Sequence, residues 1–177
     1  MEVYSYEIPS FESDKNMNLE RWILVGVIFV AILSIIIFIP KNKAREAWVL
    51  LLFLQVITWP AGLFVVEMGW IEYPIQLLKR TNHYNRTSLT FEFFIFPIVA
   101  IIFSLYFPKV RRFGAFVYYV CFAGFFTMIE AILEKTTRLV EYHEWTWYWT
   151  LITVIVSLYI NHKYYLWYKQ KLIKVNT

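Results

Sequence analysis

The sequence has little charge and a single cysteine, and each shortage excludes classes of protein. Only 17% of its 177 residues are charged, a poor match for a soluble enzyme, a disordered chain or a nucleic-acid binder. Cys121 falls inside an apolar run, so neither a disulfide framework nor a CxxC metal or redox site can form within one chain. The chain is instead 59% hydrophobic and 21% aromatic, which is typical of a membrane protein.

Enzyme motifs are missing as well, since the chain has no glycine-rich phosphate loop, nucleophile elbow or paired-aspartate motif. His143-Glu144 begins like a zinc-protease signature, but Trp147 stands where the second histidine belongs. We therefore expect no catalytic residue, no metal and no cofactor. The least favoured alternative is a lipid-modifying enzyme that uses Glu92 or Glu130 as general acid or base.

Five apolar runs organise the chain. A bilayer core about 30 Å thick needs about 20 apolar residues in a helix, and the runs that approach this length cover residues 22–39, 47–70, 89–107, 113–133 and 145–160. We predict an all-α integral membrane bundle of five transmembrane helices. The predicted parts are an acidic extracellular N-terminal segment at 1–21, a transmembrane domain at 22–168 and a basic cytoplasmic tail at 169–177.

The distribution of Lys and Arg predicts the orientation. Ten of them fall on the side of the C-terminus and seven on the opposite side, and the positive-inside rule assigns the richer side to the cytoplasm. The acidic residues agree, because Glu46 is the single one on the predicted inner side. We therefore expect the N-terminus outside and the C-terminus inside, in a cell (plasma) membrane.

The second loop, at 71–88, is the longest connection and has two interpretations. Pro74 is able to start a short helix whose apolar residues Ile75, Leu77 and Leu78 would lie in the headgroup region. The other interpretation is an ordinary connecting loop.

Three glutamates lie within the apolar runs and are the strongest indication of function. Glu67, Glu92 and Glu130 all lie near the predicted outer face, and an ionisable side chain in a span costs up to about 3 kcal/mol. We predict that Glu92 and Glu130 share one polar pocket with Glu67 at its rim. The alternative is that each glutamate reaches the interface separately. Candidate cationic partners are Arg80, Arg86 and Arg138.

A polar stripe along the fifth span points to the same pocket. Its members recur every three or four residues, which places them on one helix face: His143, Thr146, Thr150, Thr153, Ser157 and Asn161. We assign the first three to the pocket, and the stripe fits either helix packing or a conduction path. In the second span, Pro60 predicts a kink that is either a hinge or a static bend.

Two segments carry a family resemblance. Residues 87–108, TSLTFEFFIFPIVAIIFSLYFP, and 138–150, RLVEYHEWTWYWT, resemble a family of small, uncharacterised multi-pass membrane proteins of endospore-forming Gram-positive bacteria. The resemblance extends from about Trp22 to Lys169, and the acidic segment before Arg21 departs from it. It implies a helical bundle in a bacterial plasma membrane, and no activity, cofactor or catalytic residue.

The functional hypothesis is a non-enzymatic membrane component that senses, binds or scaffolds through an outward-facing polar pocket. The alternative is a small proton- or cation-coupled transporter or channel that uses the same carboxylates. The expected partners are membrane lipids and either a second copy of the chain or another protein. Nucleic acid is not an expected partner.

Overall fold

The structure is a computed structural model that describes residues 14–77 and 87–175, with side chains for 19–77 and 87–172. It is mostly helical, at 79%, which confirms the all-α prediction. The described helices are α1 at Asp14–Phe38, α2 at Ala44–Glu67, α3 at Phe96–Leu105, α4 at Arg112–Thr136 and α5 at Trp147–Val175. Arg80 and Arg86 lie outside the described residues, as do Leu78 and most of the acidic N-terminal segment.

Among the described residues, three helical stretches are long and apolar enough to cross a membrane: Leu19–Phe38, Lys41–Glu67 and Arg112–Thr136. The third predicted span is a shorter apolar helix, Thr90–Leu105. The fifth, α5, is 29 residues long, but its hydroxyls, Asn161, His162 and lysines make it less apolar. Three apolar helices are thus established, and the count of five spans stays a prediction.

One end of the bundle carries a two-stranded antiparallel ladder, and we call it the ladder end. Strands β1 at Ile71–Glu72 and β2 at Glu141–Tyr142 place Ile71 opposite Tyr142 and Glu72 opposite Glu141. Gly69, with φ of 72°, takes the left-handed conformation that turns the chain from α2 towards β1. The sequence did not predict this ladder, because two-residue strands carry too little alternation to recognise.

The part of the second loop that the structure describes decides between its two interpretations. Residues 73–77 contain no helix, so the helix predicted to start at Pro74 is wrong for that stretch. Ile75 is buried with Leu24 and Leu139 in a hydrophobic cluster rather than lying in a headgroup region. Ile75 is therefore buried inside the protein and not, as the helix interpretation predicted, among lipid headgroups.

The opposite end, which we call the tail end, holds the turn between α1 and α2 and the C-terminal half of α5. A 3-10 turn at Lys41–Lys43 joins α1 to α2. The Tyr106 hydroxyl donates to the Phe38 carbonyl at 2.9 Å, and the Tyr165 hydroxyl donates to a Glu46 carboxylate oxygen at 2.5 Å. These bonds tie the tail end of α5 to α2 and the end of α3 to α1.

The main core lies between α2, α3, α4 and α5. Phe103 of α3 is fully buried, and Ala123 of α4 gives α5 room to pack beside it. Helix α1 packs at the periphery and exposes large apolar side chains, including Trp22 at 73% and Ile36 at 71%. Helix α2 continues unbroken through Pro60.

Candidate functional site

A hydrogen-bond network at the ladder end is centred on Glu130, near the end of α4. Its Oε1 accepts a hydrogen bond from the Tyr142 hydroxyl at 2.5 Å and another from Thr150 Oγ1 at 3.1 Å. The Trp145 indole N–H donates to Thr150 Oγ1 at 2.8 Å, which extends the network. The ladder positions Tyr142 and the start of α5 positions Thr150, so three elements hold this carboxylate in place.

The Tyr142 hydroxyl, which donates a hydrogen bond to Glu130, stays protonated. It lies in β2, outside the predicted spans, and burial together with the Glu130 carboxylate raises its pKa well above the usual range for tyrosine. The hydroxyl therefore stays protonated and donates to Glu130 at any physiological pH.

The second carboxylate, Glu92, lies on a π-helical turn at Thr90–Ile95 that leads into α3. The Phe96 N–H donates to the Phe91 carbonyl, and Pro97 has no N–H to offer, so the helix supplies no donor to the Glu92 carbonyl. Gln55 of α2 fills this gap, because its side-chain amide donates to the Glu92 carbonyl at 2.7 Å. The turn is thereby fixed against α2.

Gly62 of α2 lets the Glu92 side chain approach closely. A Cβ added at Gly62 would clash with Glu92 Oε1 and lie 2.9 Å from its Cδ. The carboxylate thus lies against bare helix backbone, a position that no larger residue would allow. Glu92 Oε2 is buried and has no hydrogen-bond partner among the described residues.

Both carboxylates line one cavity of about 190 Å³, enough room for several waters or a small ligand group. Its walls come from α2, the π-helical turn, α4, the ladder and the start of α5. The apolar part of the lining combines aliphatic residues with five aromatic ones: Tyr73, Phe91, Phe96, Phe126 and Trp145. None of the described residues that line the cavity is a lysine, arginine or histidine.

The remaining predicted pocket residues lie in different places. Glu67, the last residue of α2, is exposed and does not line the cavity, so its predicted place at the rim stays a prediction. The cavity side of α2 carries Thr58, Gly62 and Val65 instead. His143 is exposed beside the ladder, with its Nε2 at 3.3 Å from Glu72 Oε2.

The polar stripe of the fifth span begins before the helix does. Thr146 is half-buried, and its carbonyl accepts the N–H groups of the first turn of α5. Its Oγ1 has no hydrogen-bond partner in the described part of the chain, and Thr146 does not line the cavity. Thr150, Thr153 and Ser157 do line it, so the middle of the stripe faces the cavity as the periodicity indicated.

The candidate cationic partners do not reach the cavity where they are described. The Arg138 guanidinium pairs with Glu141 at 3.4 Å, and the Arg138 backbone N–H donates to Glu20 Oε1 at 2.7 Å. Arg138 therefore joins α1 to the loop after α4 instead of neutralising Glu130. Arg80 and Arg86 belong to the stretch that is not described.

Within the described part of the chain, one group of side chains has the chemistry of metal ligands. Glu72, Glu141 and His143 offer ligand atoms that all lie within 4.8 Å of one another. Glu141 already pairs with Arg138, and His143 with Glu72, at the surface of the ladder end. The Arg138–Glu141 ion pair and the hydrogen bond between His143 and Glu72 account for this cluster, and we assign no metal to it.

Sequence reasoning missed Tyr142, Trp145, Gln55 and Gly62 as parts of the site. Tyr142 and Trp145 precede α5 and follow no helical period, so only the ladder brings them to Glu130. Gln55 had no readable signal, because in a regular helix Pro97 would leave the Phe93 carbonyl without a donor, and only the π-helical turn moves this gap to Glu92.

Comparison of the chain with protein-family models, with curated proteins and with solved structures found no match. The family resemblance carried by residues 87–108 and 138–150 therefore stays a prediction.

Proposed function

We propose that the protein is an integral membrane component with five spans, the ladder end outside and the tail end inside the cell membrane. Three apolar helices of spanning length and the exposed apolar surface of α1 support insertion in lipid, where such surface needs no protein cover. The excess of Lys and Arg on the tail-end side supports the orientation.

Within that membrane the protein acts as a non-enzymatic binding or sensing component whose outward-facing pocket is the cavity of Glu92 and Glu130. The observation that carries this proposal is that two carboxylates from different elements line one partly apolar cavity. Buried carboxylates are costly in a membrane protein and usually mark a functional site. The aromatic lining adds apolar contact for a ligand that approaches from outside.

The outward orientation of the cavity is tested by thiol labelling. Thr153 is an exposed residue of the cavity wall, so Thr153→Cys in a Cys121→Ser background should react with a membrane-impermeant maleimide on intact cells. Lys169→Cys, at the tail end of α5, is the matched control and should react only after permeabilisation. The reverse pattern would contradict the orientation, and no labelling of Thr153→Cys at all would contradict an open outer pocket.

A proton- or cation-coupled transporter is the second candidate. The hydroxyls of Thr150, Thr153 and Ser157 line the cavity, and one turn further along α5 Asn161 is fully buried. Both amide atoms of Asn161 lack a hydrogen-bond partner among the described residues. A proton or cation would be transported along this row of polar side chains, from the cavity towards the tail end.

Proteoliposomes loaded with pH- and cation-sensitive dyes decide between the two candidates. The binding proposal predicts no flux above that of protein-free liposomes. A flux that both Glu92→Gln and Glu130→Gln abolish would replace the binding component with a transporter.

A further inference from the structure

A second cavity lies between α4 and α5 towards the tail end, and its α5 lining, from Ile155 to Leu166, begins where that of the Glu92 and Glu130 pocket ends, at Ser157. Its volume is about 570 Å³, three times that of the first cavity. One part of its wall is apolar and comes from Ala115, Phe116, Ile155, Val156 and Leu166. This wall has the chemistry of an acyl-chain groove.

The other part of the wall is cationic. Arg112, the first residue of α4, and Lys163 of α5 both line the cavity and are both exposed. Arg112 opens a helix whose first N–H groups have no acceptor within the helix, and Arg111 before it provides no side-chain cap. Two cations and the positive end of a helix therefore face the same space, an arrangement that favours an anion.

A buried histidine, His162, also forms part of the wall. It lines the cavity, is only 6% exposed, and its Nδ1 is buried without a hydrogen-bond partner in the described residues. Its ring stacks on Phe107 at 4.1 Å between centroids, which fixes its direction. Nδ1 has no surface open to the cavity, so it faces the protein, and His162 contributes a fixed ring to the wall rather than a ligand contact.

We propose that this cavity binds one anionic phospholipid, with its phosphate at Arg112 and Lys163 and an acyl chain along the apolar wall. Charge complementarity selects the anionic headgroup, and the apolar wall selects a lipid over a free phosphate ion. The proposal rests on the membrane insertion proposed above but not on the pocket of Glu92 and Glu130. The predicted orientation puts the site at the inner leaflet.

The test measures lipid binding to the full-length protein purified in a neutral detergent, by native mass spectrometry and by thermal shift. The probes are dioleoylphosphatidylglycerol, dioleoylphosphatidylcholine with the same chains, and inorganic phosphate. We expect one phosphatidylglycerol to bind in preference to phosphatidylcholine, and inorganic phosphate to give no thermal shift. Equal binding of the two lipids would overturn the anionic selection, and an equal shift with inorganic phosphate would overturn the lipid assignment.

Charge variants locate the site. Arg112→Gln and Lys163→Gln should each weaken phosphatidylglycerol binding about fivefold, because a cation at an anionic headgroup contributes about that factor. Lys169→Gln and Lys171→Gln are matched controls, because both residues lie on α5 and neither lines the cavity. An equal loss of phosphatidylglycerol binding in the controls would show only general attraction between the basic tail and the lipid, and would overturn the proposed binding site.

A steric variant keeps the test valid if a charge variant folds poorly. Val156→Trp fills the apolar wall without changing any charge, and Ile152→Trp places the same ring one turn earlier, outside the cavity. We expect phosphatidylglycerol binding to be lost in the first variant and retained in the second. Retention in both would overturn the proposal. A protein found in the aqueous fraction without detergent would instead contradict membrane insertion, so the two failures are distinguishable.

Discussion

Contacts of individual side chains fix the positions of the two carboxylates in the cavity. Glu130 has three elements around it and receives two hydroxyl donors, whereas Glu92 is held by its backbone and by its position against Gly62. The two glutamates therefore share a cavity but differ in what fixes them. This difference predicts that neighbouring substitutions will affect them through different mechanisms.

Removing the Tyr142 hydroxyl should destabilise the fold. Tyr142→Phe leaves the Glu130 carboxylate with Thr150 as its remaining donor, and we expect the free energy of unfolding in detergent to fall by about 1 to 3 kcal/mol. Tyr148→Phe is the control, because Tyr148 is an exposed tyrosine at the start of α5, and it should change stability by less than about 0.5 kcal/mol. Equal effects of the two substitutions would contradict the network.

Adding a methyl group at Gly62 should push Glu92 out of place. Gly62→Ala clashes with the carboxylate, which has to move, and because it ends a flexible side chain we expect a cost at the low end for overpacking, about 1 kcal/mol of unfolding free energy. Gly26→Ala is the control, since a Cβ there meets nothing within 4 Å. In a Glu92→Ala background the Gly62→Ala penalty should largely disappear, and a penalty that persists would locate the strain elsewhere.

At the scale of the element, the π-helical turn is the feature that positions the site. It forms where Pro97 removes an N–H donor, and it presents Glu92 at the junction of α2, α3 and α4. A regular helix through the same residues would rotate the side chains before Pro97 relative to α3. The turn therefore depends on Gln55, which satisfies the carbonyl that the turn leaves free.

The dependence of the turn on Gln55 is measurable in a double-mutant cycle. Gln55→Leu should destabilise the protein by about 1 kcal/mol, because the half-buried Glu92 carbonyl loses its hydrogen-bond donor. Pro97→Ala restores an N–H five residues after Glu92, so Gln55→Leu should cost less in that background. Unfolding free energies of the four variants give the coupling, and additive values would show that Gln55 does not compensate for Pro97.

The whole molecule has two chemically distinct ends, and the proposed orientation follows from them. The ladder end carries acidic residues and the carboxylate cavity, and the tail end carries the basic residues of the α1–α2 turn, the start of α4 and the end of α5. A membrane with an anionic inner surface would favour the basic end inside.

Reporter fusions test that orientation. A cytoplasmic reporter fused after Thr177 should be active, and an external reporter inserted after Glu144, in the exposed ladder end, should be active as well. Exchanging the two reporters should abolish both activities, because each then lies in the wrong compartment. Activity in the exchanged arrangement would reverse the topology and place the carboxylate cavity inside.

The sequence by itself determined the helical class and its apolar helices, because helix length and hydrophobicity are local properties of a run of residues. It also placed Glu92 and Glu130 at one depth, since a short loop forces α3 and α4 to run antiparallel. It predicted no ladder, and it extended the second helical run past its end at Glu67, into the turn before β1.

Only the tertiary structure decided which side chains meet. Glu67 faces outward while Thr150 faces the cavity, and helices that are apolar all round carry little sequence signal for which face is buried. Tyr142 reaches Glu130 through a strand pairing between distant segments, and Gly62 is needed only because Glu92 of another element packs against it. Contacts of this kind depend on how helices are rotated against one another, which is fixed by the packing of the whole bundle.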